Sequence, residues 1–205
     1  MGSYVNCIVP LPDNVHFVVG LGYYGNYEVR LYHVDGTLVH AFEGHTDTVR
    51  ALAVPPDGQH IISGSGDHLV KVWGVVTKCL VSTCAGHNGS IYAVAAMPDG
   101  KRILSGGMDN TVRVWLIDGT HKNTFTLHTG PVQALVALPD NQHALSGSQD
   151  STVKLFNVND GVVLRTFTNH TDELNCLALL PDGRRFISSS DHTACIVEHG
   201  LAPFV

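Results

Sequence analysis

Hydrophobic positions along this chain come in short runs of four to six, each closed by a turn, without the three-and-four spacing of an amphipathic helix. The runs recur in kind. RALAV, YAVAAM, QALVAL and NCLALL form one set, HIISGS, RILSGG and HALSGS a second, and LVKVW, TVRVW and TVKLF a third. Each is too short for a helix and reads as a strand. Pro-Asp-Gly or Pro-Asp-Asn joins the first set to the second, because Gly and Asn tolerate the positive φ that a tight turn needs. A fourth strand, such as LVSTCAG or VLRTFTN, completes the unit. Apolar residues fall on both faces of these strands, which predicts sheets covered on both sides.

The unit has a fixed period. The turn prolines Pro12, Pro56, Pro98, Pro139 and Pro181 are spaced by 44, 42, 41 and 42 residues, and seven residues before each stands an apolar anchor: Val5, Val49, Ile91, Val132, Leu174. Gly44-His45, Gly86-His87, Leu127-His128 and Asn169-His170 recur in step, as do Asp67, Asp109, Asp150 and Asp191. Six residues after each of these aspartates comes Trp73, Trp115, Phe156 or Val197. Five units of approximately 1–42, 43–84, 85–126, 127–167 and 168–205 therefore make up one domain, 1–205. An all-β propeller of four-stranded antiparallel blades is the expectation. Alanines crowd the first strand of each unit (Ala51, Ala53, Ala93, Ala95, Ala134, Ala137, Ala178), as fits strands packed near a central axis.

Gly-His, then Pro-Asp-Gly, then SGSxDxTVKVW at this spacing resembles the WD-repeat family of propellers over essentially the whole chain. The Trp-Asp dipeptide itself is absent, since Gly74 follows Trp73 and Leu116 follows Trp115. The first unit has Asn26 in the Asp place and Tyr32 in the Trp place, and the fifth has lost one residue between Ser188 and Asp191. The resemblance implies a repeated His–Ser–Asp–Trp network tying the loop between blades to the blade sheet. Its members would be His45, Ser63, Asp67 and Trp73; His87, Ser105, Asp109 and Trp115; and His128, Ser146 and Asp150. It also implies a partner-binding top face around the channel, formed by Tyr4, Asn6, Thr48, Arg50, Ser90, Tyr92, Pro131, Gln133, Glu173 and Asn175. Gly25, Gly66, Met108, Gln149 and Ser190 would join them from the hairpins. Arg50, Tyr92 and Met108, from adjacent blades, are expected to lie together as a peptide pocket, with Arg50 taking an acidic or phosphorylated side chain.

Such propellers usually close with seven blades, so five units predict an incomplete or open array whose exposed ends could self-associate. A truncated piece of a longer propeller is the favoured reading of that count.

Composition narrows the function classes. The chain has 205 residues, 44% hydrophobic, and only 15% charged against the roughly 25% of an average soluble domain. With 12 Lys and Arg against 18 Asp and Glu, the net charge of −6 argues against a nucleic-acid partner. No apolar run is long enough for a membrane span. Five cysteines without a CxxC pair predict reduced thiols in the cytoplasm or nucleus rather than a disulfide framework or zinc site, and no secretion signal opens the chain.

Two motifs invite chemistry. Gly20-Leu21-Gly22-Tyr23-Tyr24-Gly25 is a literal GxGxxG, but NYEVRLY follows it and reads as a strand, where a dinucleotide site needs a helix. Ser, His and Asp recur in every regular unit, whereas a hydrolase needs one such set in a cleft. Iteration points to structure. The expectation is a non-enzymatic scaffold for proteins or peptides, with neither cofactor nor metal. The competing reading is a substrate-recognition fragment of a larger regulator such as a ubiquitin-ligase receptor, although the WDxR element that often docks the ligase adaptor is missing.

Overall fold

The computed structural model describes residues 4–22 and 25–201, and all of its regular structure is β-strand. The strands meander in order through five sheets. The first blade is β1 (Val5–Pro10), β2 (His16–Leu21), β3 (Val29–His33) and β4 (Leu38–Phe42). The second is β5 (Val49–Ala53), β6 (His60–Ser65), β7 (Leu69–Gly74) and β8 (Leu80–Ala85). The third is β9 (Ile91–Ala96), β10 (Arg102–Gly107), β11 (Val112–Leu116) and β12 (His121–Phe125). The fourth is β13 (Val132–Ala137), β14 (His143–Ser148), β15 (Val153–Asn157) and β16 (Val163–Phe167). The fifth has three strands, β17 (Leu174–Leu179), β18 (Arg185–Ser190) and β19 (Ala194–Glu198).

The turn chemistry explains the regular hairpins. The residue two after each turn proline has positive φ throughout: Asn14 60°, Gly58 64°, Gly100 66°, Asn141 58° and Gly183 65°. Gly and Asn are the residues that reach this region cheaply. Beside each turn the aspartate side chain also accepts a backbone N–H, as when Asp57 takes Gln59 N at 2.9 Å. The described part of the GxGxxG stretch holds no helix: Gly20 and Leu21 end β2, residues 23 and 24 lie outside the described part, and β3 follows at Val29.

The core lies between blades, not within them. Val18, Val29, Leu31 and Phe42 of the first blade pack against Val49, Leu52, Ile61 and Trp73 of the second. Ile62, Val70, Val72 and Cys84 then pack against Ile91, Val94, Ile103 and Trp115 of the third. The same arrangement repeats at the two later junctions. Close approach there requires glycine. A Cβ on Gly106 would stand 2.6 Å from Val132 Cγ1, and one on Gly64 2.6 Å from Ile91 Cγ2. Inner strands pack in succession, β1 on β5, β5 on β9, β9 on β13 and β13 on β17, so the five blades form an arc rather than a closed ring.

Candidate functional site

Two constellations stand out, one buried and repeated, the other open and single. The buried one begins at the loop that enters each blade. His45 places Nδ1 2.7 Å from Asp67 Oδ2 and Nε2 2.7 Å from Ser63 Oγ, and Trp73 Nε1 donates to the same Oγ at 2.8 Å. In the third blade the matching distances for His87, Asp109, Ser105 and Trp115 are 2.8, 2.7 and 2.8 Å. His128 meets Asp150 and Ser146 at 2.8 Å each, and Phe156, without an N–H, fills the indole position. The carboxylate can only accept, so in each set Nδ1 carries a proton and donates to it. Burial, the largest influence, holds His87 and His128 below the usual 6.5 despite their aspartates.

The same carboxylates hold the backbone. Asp67, Asp109 and Asp150 accept from the N–H of Thr46, Asn88 and Thr129 respectively. Burial pushes these carboxyls up, but the hydrogen bonds and the facing imidazoles bring each net below the ordinary 3.8. Ser63, Ser105 and Ser146 are fully buried, so no substrate carbonyl can reach the hydroxyl. The geometry is that of a strut between loop and sheet.

Sequence reasoning missed a fourth copy. His170 Nε2 lies 2.7 Å from Ser188 Oγ, while Thr193 Oγ1 takes the aspartate's place 2.9 Å from Nδ1. Asp191 instead accepts from Asn175 Nδ2 at 2.6 Å. The residue missing between Ser188 and Asp191 was the available signal. Thr111 and Thr152 also went unnoticed, though each donates its hydroxyl to the network aspartate, at 2.8 and 2.6 Å.

The open constellation is a cavity of about 300 Å³ lined by Asn6, Thr48, Arg50, Tyr92, Gln133 and Asn175. Five of these stand directly after the anchors of β1, β5, β9, β13 and β17, so every inner strand delivers one polar side chain to a common space. The Arg50 guanidinium carbon lies 5.5 Å from the Tyr92 ring centroid, a cation–π distance. Arg50 is the charged residue of the lining.

Met108 does not join them, contrary to expectation. It projects from the hairpin after β10, 57% exposed, where its N–H donates to Ser90 O and a Cβ on Gly89 would touch it. Hairpin residues stand off the inner strands that build the cavity. Tyr4, Ser90, Gln149, Pro131, Glu173, Gly66 and Ser190 likewise lie outside the lining. Gly25 lines a different cavity, of about 450 Å³, with Asn26, Tyr27, Glu28 and Glu43. There Glu28 already holds Arg30 at 2.6 Å.

The model of the family described as "WD domain, G-beta repeat" matches residues 36–74, 78–115, 119–157 and 161–198. The chain belongs to the WD40 family. Each WD40 repeat so defined opens on the fourth strand of one blade and closes on the third strand of the next. Ribosome biogenesis protein BOP1 homologs of Drosophila grimshawi and Drosophila melanogaster are 48% and 45% identical to it over 40 residues. That stretch is 19% of this chain and 5% of those proteins, so the chain matches only a small part of their length. The structure of U3-55K superposes with a TM-score of 0.86 over 97% of this WD40 chain and 62% of that one. At 20% identity it shows the fold alone. Among the described residues no helix is long and apolar enough to cross a membrane, and no His, Cys, Asp or Glu cluster is arranged to hold a metal ion.

Proposed function

We propose that this WD40 protein is a non-catalytic scaffold that takes a peptide in the cavity where its inner strands converge, with Arg50 receiving a carboxylate or phosphate. The observation that carries the reading is the convergence of five inner strands on one polar cavity with a single cation. Arginine with carboxamides and hydroxyls around it suits an anionic side chain, since the guanidinium offers paired donors and the neutral groups add hydrogen bonds without repulsion. Tyr92 beneath the guanidinium restricts its motion and supplies an aromatic surface of the kind that dominates binding hot spots.

The net charge of −6 favours a protein partner over nucleic acid. The BOP1 homologs carry ribosome biogenesis in their name, and the shared stretch of about one repeat supports a scaffold role of the same general kind. Five cysteines without a disulfide fit a reducing compartment, the cytoplasm or nucleus.

Selection from a displayed random-peptide library, with and without phosphorylated serine, tests the site. Sequences with an acidic or phosphorylated residue should be enriched on the wild-type chain. Arg50→Ala with Tyr92→Ala should weaken the best of them at least about tenfold, the size of one lost charge-assisted contact. Equal recovery by the double variant would remove this cavity as the site.

A further inference from the structure

The loops that carry the network histidines share one geometry and differ in the residue that follows. Thr46, Thr129 and Thr171 come after His45, His128 and His170, whereas Asn88 comes after His87 and is itself followed by Gly89. Thr46, Asn88 and Thr129 do the same backbone work, each giving its N–H to the network carboxylate, at 3.0, 3.0 and 3.1 Å. All three are exposed. Only in the third blade does this place hold a carboxamide, and Asn88-Gly89 is the one Asn-Gly pair of the chain.

The pair lies in a bend between β8 and β9, outside any strand. Among the described residues the Asn88 carboxamide makes no hydrogen bond, and the Gly89 N–H makes none either. A Cβ on Gly89 would stand 2.9 Å from Met108 Cβ, so the hairpin after β10 demands glycine there. That glycine leaves its own nitrogen unshielded by a side chain.

We propose that Asn88 is a site of spontaneous isoaspartate formation in the folded protein. The Gly89 nitrogen attacks Asn88 Cγ and closes a succinimide ring. The carboxamide nitrogen leaves as ammonia, with the proton that Gly89 gives up. Water then opens the ring. Cleavage at Cγ yields aspartate, and cleavage at the main-chain carbonyl yields isoaspartate, in which the backbone runs through the former side chain. Either product sets a second carboxylate beside Asp109, where like charges repel. Isoaspartate also lengthens the path from His87 to Gly89 by one carbon, which draws the loop N–H and the imidazole away from Asp109. The strut of the third blade is thereby the one that ages.

Asn88→Thr supplies the control, since threonine holds this place in three sister loops and has no carboxamide to cyclise. Thermal unfolding checks that the variant folds. Both proteins are kept in native buffer at neutral pH and sampled by anion exchange, where conversion makes the chain one unit more negative than −6. The acidic form should accumulate in the wild type and not in Asn88→Thr. Tryptic mapping should place the change in the peptide Cys79–Lys101, as paired aspartate and isoaspartate peaks. Asn88 should convert at least about tenfold faster than any other asparagine, a barrier difference of about 1.4 kcal/mol. The acidic fraction should then unfold at lower urea than fresh protein. Equal acidification of wild type and variant overturns the proposal, as does conversion that occurs only when the wild type is held unfolded in urea. An acidic fraction that unfolds together with fresh protein overturns the link to the strut.

Discussion

His87 and Asp109, 22 residues apart in sequence, meet through Nδ1 and Oδ2 at 2.8 Å and thereby pin the loop into the third blade to that blade's own hairpin. Asp109→Ala strands a buried imidazole N–H and releases the N–H of Asn88. Unfolding in urea should show a loss of about 1–3 kcal/mol, the cost of leaving the buried His87 donor unmet. Glu43→Ala, at an exposed position, should stay within about 0.5 kcal/mol of the wild type. If both variants unfold together, the network contributes nothing to stability.

Packing between blades makes a second, graded prediction. A methyl added at Gly106 would stand 2.6 Å from Val132 Cγ1, whereas one at Gly147 would meet Leu177 Cδ1 at 3.2 Å. Gly106→Ala should therefore cost roughly 1–3 kcal/mol, the usual range for overpacking, and Gly147→Ala clearly less. Reversal of that order in thermal melts would contradict the packing described.

Acid should destabilise the protein in two stages. His87 and His128 are held below 6.5 chiefly by burial. Below pH 6.5 the unfolded chain therefore binds protons that the folded chain refuses, and stability present at neutral pH is lost as pH falls through the folded values. Asp67, Asp109 and Asp150 lie net below 3.8, so their share is present above 3.8 and goes in a later stage below it. Urea midpoints measured near pH 7.5, 5.5 and 3.5 should fall at each step. A flat response over the first interval would mean that the two imidazoles titrate as they would in the unfolded chain.

Thiol labelling should separate the cysteines. Burial pushes the Cys7 and Cys84 thiols up to about 12, so neither offers appreciable thiolate at neutral pH. Cys79 and Cys176 are exposed. Brief treatment with a maleimide, read by intact mass, should modify Cys79 and Cys176 while sparing Cys84, which is 1% exposed. Rapid modification of Cys84 in the folded protein would show that the junction between the second and third blades opens freely.

Iteration made the fold legible. One His–Ser–Asp alignment could be chance, but His45, His87 and His128 each stand 18 residues before the serine and 22 before the aspartate, and the strand registers follow. Arg50 and Tyr92 could be placed together because residues after an anchor inherit its position on the inner strand. Met108 could not, since its place before the turn aspartate tells which end of the blade it occupies but not how far from the axis the hairpin leans. The network at His170 was hidden by one lost residue, which turns Asp191 toward Asn175 and leaves Thr193 and Ser190 beside the imidazole.

In this chain the repeating segment and the folded layer are out of phase by one strand. β4 completes the first sheet yet belongs in sequence with β5, β6 and β7 of the second, and the offset recurs at every junction. Consecutive layers are thus stitched like overlapping shingles, and none can be lifted out without tearing an edge from its neighbour. Duplication or deletion of one segment, by contrast, leaves the overlap unbroken on either side. Such a gene can change its layer number in whole steps while every surviving seam remains of the original kind.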